Sequence, residues 1–195
     1  MRVLDLGCGS GHELAPWGVT SFDDVTGLDI DNGRLAVARQ RFPNRTYLYG
    51  SGESLPFEDG TFDRVISNVA LPYMNIQKTL AEIHRVLVPG GRLSVSLHLP
   101  SFTIDELVHK AIPRPVPTFF RLYVLMNGLL FHCTGKTFAF VKGRTESFQT
   151  ERGMRLALAR SGFDTVSLGR GTGSAGATLT VEARKSDPIV ATQAA

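Results

Sequence analysis

Three glycines on alternate positions, Gly7, Gly9 and Gly11, close an apolar run that begins at Val3, and Asp5 stands two residues before the first of them. Glycine lets a chain turn tightly and brings backbone against a ligand with no Cβ between them. A helix after such a loop aims its free N–H groups at whatever sits there, and the sequence predicts a brief one near His12–Ala15. Asp29 lies 18 residues beyond Gly11, at the end of a second apolar run. An acid there is placed to accept hydrogen bonds from both hydroxyls of a ribose. Its other use, capping the next helix, falls to Asp31. Two groups that handle protons stand near the same edge: Tyr73 after the fourth strand and His98 at the end of the fifth. His98 alternates with Val95 and Leu97, so it reads equally as a base or as a hydrogen-bonded core histidine. Tyr73 reads as a substrate contact or as simple packing. His132 follows an apolar run and reads as a surface or lid residue. Cys8 and Cys133 give no disulfide framework, and the chain has no Cys or His spacing of a metal site. Cys8 belongs to the glycine loop, where its plainest part is a small apolar filler.

The elements that must hold these residues alternate through the first hundred positions, which argues a parallel α/β sheet. Strands are expected at Val3–Leu6, Val25–Ile30, Thr46–Tyr49, Phe62–Ser67 and Arg92–Leu99, with helices at Asn32–Arg41 and Ile76–Leu87. The second helix carries Ile76, Leu80, Ile83 and Leu87 on one stripe and stops before Pro89-Gly90-Gly91. Residues 100–147 break the rhythm with four prolines and the apolar run Phe119–Phe131. That run is shorter than the roughly 20 residues that span a bilayer. It predicts a helical lid over the site, a helix touching a membrane surface, or one buried against the sheet. A helix near Thr150–Ser161, a strand Thr165–Leu168, a Gly/Ser-rich turn over Gly169–Gly176 and a strand Ala177–Ala183 complete a single domain over residues 1–185. Residues 186–195 read as a disordered tail.

Four segments in order resemble one family. They are Asp5-Leu6-Gly7-Cys8-Gly9-Ser10-Gly11, the stretch from Gly50 through Leu55-Pro56-Phe57 to Phe62-Asp63, Val65–Leu71, and Leu80–Leu93 with its Pro89-Gly90-Gly91 turn. Over residues 3–99 the chain is similar to the class I S-adenosylmethionine-dependent methyltransferases of small-molecule type. The resemblance implies a doubly wound Rossmann-like sheet of seven strands in the order 3-2-1-4-5-7-6, the last antiparallel, with S-adenosylmethionine as cofactor. It places Asp5, Gly7, Cys8, Gly9 and Gly11 in the loop under the methionine moiety, Asp29 on the ribose and Ile30 on adenine. It places Ser51, Gly52 and Glu53 around the adenine amino group and Asn68 beside the sulfonium. Where the family usually has an acid, this chain has Ser51, and Glu53 is the nearby carboxylate. Family members usually carry one or two helices before the first strand. This chain opens on the strand, so its true start lies upstream, or residues 100–147 cover the site, or the cofactor is poorly held.

Methyl transfer asks for positioning, desolvation and, for some acceptors, removal of a proton. Phe119, Phe120, Tyr123, Val124, Met126, Leu129 and Leu130 predict an apolar wall and hence a small, largely apolar acceptor methylated on O, N or C. A nicotinamide-dependent dehydrogenase would show G-x-G-x-x-G spacing, and an exocyclic amino methyltransferase of nucleic acid would show Asn-Pro-Pro-Tyr where Asn68–Tyr73 stands. The alternative kept open is a non-catalytic or truncated cofactor-binding module of the same fold. The net charge of +3 divides into −2 over residues 1–98 and +5 over 99–195, with no dense basic block. That pattern suits a solvated surface with no nucleic-acid partner and no stable membrane insertion. Met1 leads straight into a strand, and the expected location is the cytoplasm.

Overall fold

The computed structural model describes residues 1–98, 115–138, 146–173 and 176–186. Strand β1 (Arg2–Leu6) is buried on both faces from Val3 onward, as a central parallel strand must be. Beside it lie β2 (Asp24–Asp29), β3 (Thr46–Tyr49), β4 (Phe62–Asn68) and β5 (Leu87–His98), all parallel. Strands β6 (Phe163–Gly173) and β7 (Gly176–Lys185) form a hairpin, and β7 inserts antiparallel between β6 and β5. The order is β3-β2-β1-β4-β5-β7-β6, the seven-stranded arrangement the resemblance implied.

Helices α1 (Asn32–Arg41) and α2 (Ile76–Val86) are capped by Asp31 and Asn75, whose side chains accept from the N–H groups of Arg34 and Lys78. The expected stripe of α2 is fully buried at Ile76, Leu80 and Ile83. With α4 (Glu151–Arg160), it covers one sheet face over Leu4, Val65, Val95 and Val181. The opposite face has two smaller apolar clusters, one around Val3, Val25 and Ile66 and one around Cys8, Leu35 and Tyr47.

Three expectations change. No α-helix follows the glycine loop; the chain forms only a 3-10 turn at Ala15–Trp17, with Pro16 inside it and Gly18 in the left-handed conformation after it. The carbonyls of Gly11 and His12, which a helix would use internally, accept instead from the Arg41 guanidinium at 3.0 Å and the Arg45 guanidinium at 2.8 Å. Strand β5 starts at Leu87, taking in the Pro89-Gly90-Gly91 segment, rather than at Arg92. The β6–β7 ladder runs to Gly173↔Gly176, so most of the expected Gly169–Gly176 turn is paired strand.

Helix α3 (Pro115–Thr134) contains the apolar run. Val124, Asn127 and Phe131 point inward, and Gly128 and Gly153 leave room for the rings of Phe148 and Phe131. Phe119, Met126 and Leu129 are more than half exposed. None of its described residues lines the cavity at the glycine loop. The rest of the expected lid and the tail from 187 onward lie outside the described residues. Among the described residues, no helix is long and apolar enough to cross a membrane.

Candidate cofactor site

Beyond Leu6 the chain turns at once, and Gly7, Gly9 and Gly11 have φ of +72°, +53° and +76°, a region costly for residues with a Cβ. The turn is stitched to β2: the N–H groups of Gly7 and Cys8 both donate to the Leu28 carbonyl, at 2.7 and 3.2 Å. Asp29, one residue on, clamps the loop. Its Oδ2 accepts from the Gly9 N–H at 2.8 Å, and its Oδ1 accepts from the Asp31 N–H at 2.9 Å. One carboxylate thereby ties the glycine loop to the start of α1, and each oxygen still has lone-pair capacity.

A cavity of about 440 Å³ opens at this point. Its floor is Gly7, Gly52 and Asn68, and its rim carries Asp29, Ile30 and Tyr73. Ile30 is 69% exposed and Tyr73 59%, so both present apolar surface at the mouth. The floor depends on missing side chains. A Cβ on Gly7 would stand 2.2 Å from that of Ala70, and one on Gly52 would stand 2.7 Å from the Met74 sulfur.

The cavity therefore gathers Gly7, Asp29, Ile30, Ser51, Gly52, Glu53, Asn68 and Tyr73 from the sequence reading. Gly9 and Gly11 shape the loop from outside the lining; Gly11 packs where a Cβ would meet the Phe42 ring at 2.8 Å. Cys8 is buried with Tyr47 and Leu35, away from the cavity, and burial pushes its thiol up to about 12. Its side chain packs as apolar filler beneath the loop. Glu53 faces inward but already accepts from the Asn75 N–H at 3.0 Å, anchoring the start of α2. The Ser51 hydroxyl accepts from the Glu53 N–H at 3.2 Å. His98 ends β5 opposite Thr178 and is not part of this lining.

Asp5 lies beneath the loop, 2% exposed, and its Oδ1 has no hydrogen-bond partner among the described residues. Its other oxygen is 3.7 Å from His12 Nδ1. Burial pushes the Asp5 carboxyl up to about 7, against the opposing pull of Arg45. Burial and Arg45 hold His12 below the ordinary histidine range.

The sequence reading missed Val69, Ala70, Met74 and Arg34, all of which line the cavity. Val69 is the one non-glycine residue at positive φ among those described, at 59°. Its N–H donates to the Ser96 carbonyl at 2.9 Å, which holds the strained turn directly after Asn68. No local pattern signals such strain in a β-branched residue. Among the described residues, no cluster of His, Cys, Asp and Glu could hold a metal ion.

Comparison with known proteins agrees with this geometry. The family described as "Methyltransferase domain" matches residues 4–95. A demethylmenaquinone methyltransferase of Thermus thermophilus is 30% identical over 176 residues, covering 83% of this chain and 74% of that protein. The chain belongs to the class I S-adenosylmethionine-dependent methyltransferases. An uncharacterized methyltransferase of Synechocystis is 43% identical over 107 residues, 51% of this chain and 49% of its own length. Against most of the first curated relatives, the match spans half of the relative's length or less. Among solved structures, a methyltransferase of Methanosarcina mazei superposes with a TM-score of 0.66 at 19% identity, covering 96% of this chain and 93% of that one. That similarity is one of fold. The methyltransferase cofactor, S-adenosylmethionine, needs a ribose acceptor, a close backbone floor and room for a small molecule. Asp29, the Gly7–Gly52 floor and a volume within the usual range for such pockets meet those needs.

Proposed function

We propose that the protein transfers a methyl group from S-adenosylmethionine to a small-molecule acceptor. The observation that carries this reading is the Asp29 clamp. One carboxylate fixes the glycine loop through Gly9 and borders a cavity whose floor two glycines keep open. When bound, the cofactor supplies a methyl group on a positively charged sulfur that is already a good leaving group.

The protein's part is to hold and orient. Asp29 takes the ribose hydroxyls, Gly7 and Gly52 admit the ligand against backbone, Ile30 covers the base, and Ser51 offers a hydroxyl to its edge. Asn68 stands at the far end of the floor, held by the Val69–Ser96 hydrogen bond. Tyr73 borders the mouth as the nearer group for contacting an acceptor, and His98 stands at the sheet edge as the group for taking a proton. Val69 strain supports a site built for precision, since a strained turn at the end of a strand fixes the direction of its neighbour.

Relatives include proteins named for demethylmenaquinone and for malonyl-[acyl-carrier protein], acceptors of quite different polarity. The apolar acceptor expected from Phe119–Phe131 draws no support from the described packing of α3, none of whose described residues lines the cavity. Incubation with tritiated S-adenosylmethionine and mixed small-molecule acceptors tests the reading. Label carried into an acceptor is the expected result. Cofactor binding with no transfer to any acceptor would reduce the protein to a binding module.

A further inference from the structure

Two carboxylates border the cofactor cavity, Asp29 and Glu53, and their surroundings differ. Glu53 lies 3.9 Å from the Lys78 ammonium and accepts from the Asn75 N–H. Asp29 accepts from the backbone N–H groups of Gly9 and Asp31 and makes no ion pair among the described residues. A ligand laid on Asp29 takes that carboxylate out of water. A charge desolvated without a counter-ion is costly, and a cation beside it offsets the cost.

Arg34 is the one cation among the described residues that line this cavity. Its side chain crosses the glycine loop. Cδ and a terminal nitrogen lie 3.9 and 4.0 Å from where a Cβ on Gly9 would stand, ordinary van der Waals contact. Gly9 is the residue whose N–H rests on Asp29 Oδ2 at 2.8 Å. Arg34, Gly9 and Asp29 therefore meet at one corner of the cavity, the corner assigned to the ribose.

Helix stability does not ask for an arginine at this position. Arg34 stands in the first turn of α1, just after the Asp31 cap, where the helix end is positive and a cation is disfavoured. Its ion pair is with Asp31, Nε to Oδ2 at 3.5 Å, between side chains 66% and 51% exposed. Pairs so open to water are weak, so the guanidinium can leave Asp31 for a ligand. The cap survives that move, because Asp31 Oδ1 accepts separately from the Arg34 N–H at 3.0 Å. A ribose hydroxyl that donates to Asp29 keeps lone pairs for a guanidinium donor.

Resting on the methyltransferase reading, we infer that Arg34 binds the cofactor: its guanidinium closes over the ribose on Asp29, donates to a hydroxyl oxygen and supplies the carboxylate's counter-charge. The ribose is then held from two sides, by Asp29 as acceptor and by Arg34 as donor.

Calorimetric titration of the full chain with S-adenosylhomocysteine and with its 2′-deoxy and 3′-deoxy analogues tests this. Arg34→Met keeps an apolar stem and removes the donors. It is expected to weaken S-adenosylhomocysteine about tenfold, as loss of a charge-assisted hydrogen bond does. The thermal midpoint of the ligand-free variant is expected not to fall, since the cation leaves a positive helix end. The loss is expected to be about three times smaller or less for the analogue that lacks the contacted hydroxyl. Arg34→Lys, which keeps the charge without the planar fork, is expected to fall between parent and Arg34→Met. Asp31→Asn keeps the cap and frees the guanidinium, and is expected to bind at least as tightly as the parent. Arg34→Met binding like the parent, an equal loss for all three ligands, a lowered midpoint, or an equal loss in Asp31→Asn would overturn the inference. Failure of the parent to bind S-adenosylhomocysteine at all would instead overturn the methyltransferase reading beneath it.

Discussion

Replacing Asp5 with asparagine isolates the ionisable group buried beneath the glycine loop. In the folded protein the Asp5 carboxyl is almost sealed, one oxygen has no partner among the described residues, and burial raises its pKa from 3.8 to about 7. An acid whose folded pKa lies above its unfolded value binds a proton in the native state while the unfolded chain has already lost it. Between pH 4 and 7 the native state therefore holds more protons, and stability falls as pH rises. A shift of about 3 units at 1.36 kcal/mol each gives a loss of about 4 kcal/mol across that window, with no further change above it. Asparagine has no such term. Urea unfolding of both proteins at half-unit steps from pH 4.5 to 8.5 gives the difference curve, in which the other groups cancel. The variant is expected to gain on the parent by a few kcal/mol as pH rises, with the gain levelling off near pH 7 to 8. Parallel curves, or a variant that loses ground with rising pH, would refute the assignment of a protonated Asp5 at mildly acid pH.

Other substitutions probe the site more directly. Asp29→Ala removes the acceptor for the Gly9 and Asp31 N–H groups; calorimetry should show S-adenosylhomocysteine affinity reduced at least thirtyfold, with the far-UV circular dichroism of the sheet retained. Gly7→Ala drives a Cβ to 2.2 Å from that of Ala70 at a φ of +72°; thermal unfolding should show a loss of about 2 kcal/mol or more together with loss of cofactor binding. Arg64→Met removes the guanidinium that donates to the Trp17 carbonyl, to Ser94 Oγ and to Glu182, and leaves Glu182 with only the Ser94 hydroxyl among the described residues; chemical unfolding should report a cost of about 2 kcal/mol, and the double variant with Glu182→Gln should recover part of it.

Local patterns made most of the framework legible. The stripe Ile76, Leu80, Ile83 and the caps Asp31 and Asn75 are short-range signals, and both helices lie where those residues put them. The strand order came from the resemblance of four spaced motifs, not from any one segment. What local reading lost depends on partners distant in sequence. The helix expected at His12–Ala15 gives way because Arg41 and Arg45, about thirty residues on, take the loop carbonyls. Glu53 is recruited by the Asn75 N–H, 22 positions away. Arg64 on β4 meets Glu182 on β7, 118 positions away, at 3.5 Å. Alternation of Ser94, Ser96 and His98 with Leu93, Val95 and Leu97 was visible in the sequence. Its partners were not, because nothing local says that β7 will lay Thr180 opposite Ser96 and Thr178 opposite His98. The apolar run Phe119–Phe131 has the periodicity of a helix and forms one, and its described inward residues serve packing among α3, α4 and Phe148.

Isothermal titration of S-adenosylhomocysteine into the full chain, with NADH titrated in parallel, decides whether the cavity beside Asp29 is a methyltransferase cofactor site. One site per chain is expected to fill with S-adenosylhomocysteine at micromolar concentration, greatly weakened in Asp29→Ala, with no heat from NADH. Silence at millimolar S-adenosylhomocysteine, or saturable binding of NADH in its place, would contradict it.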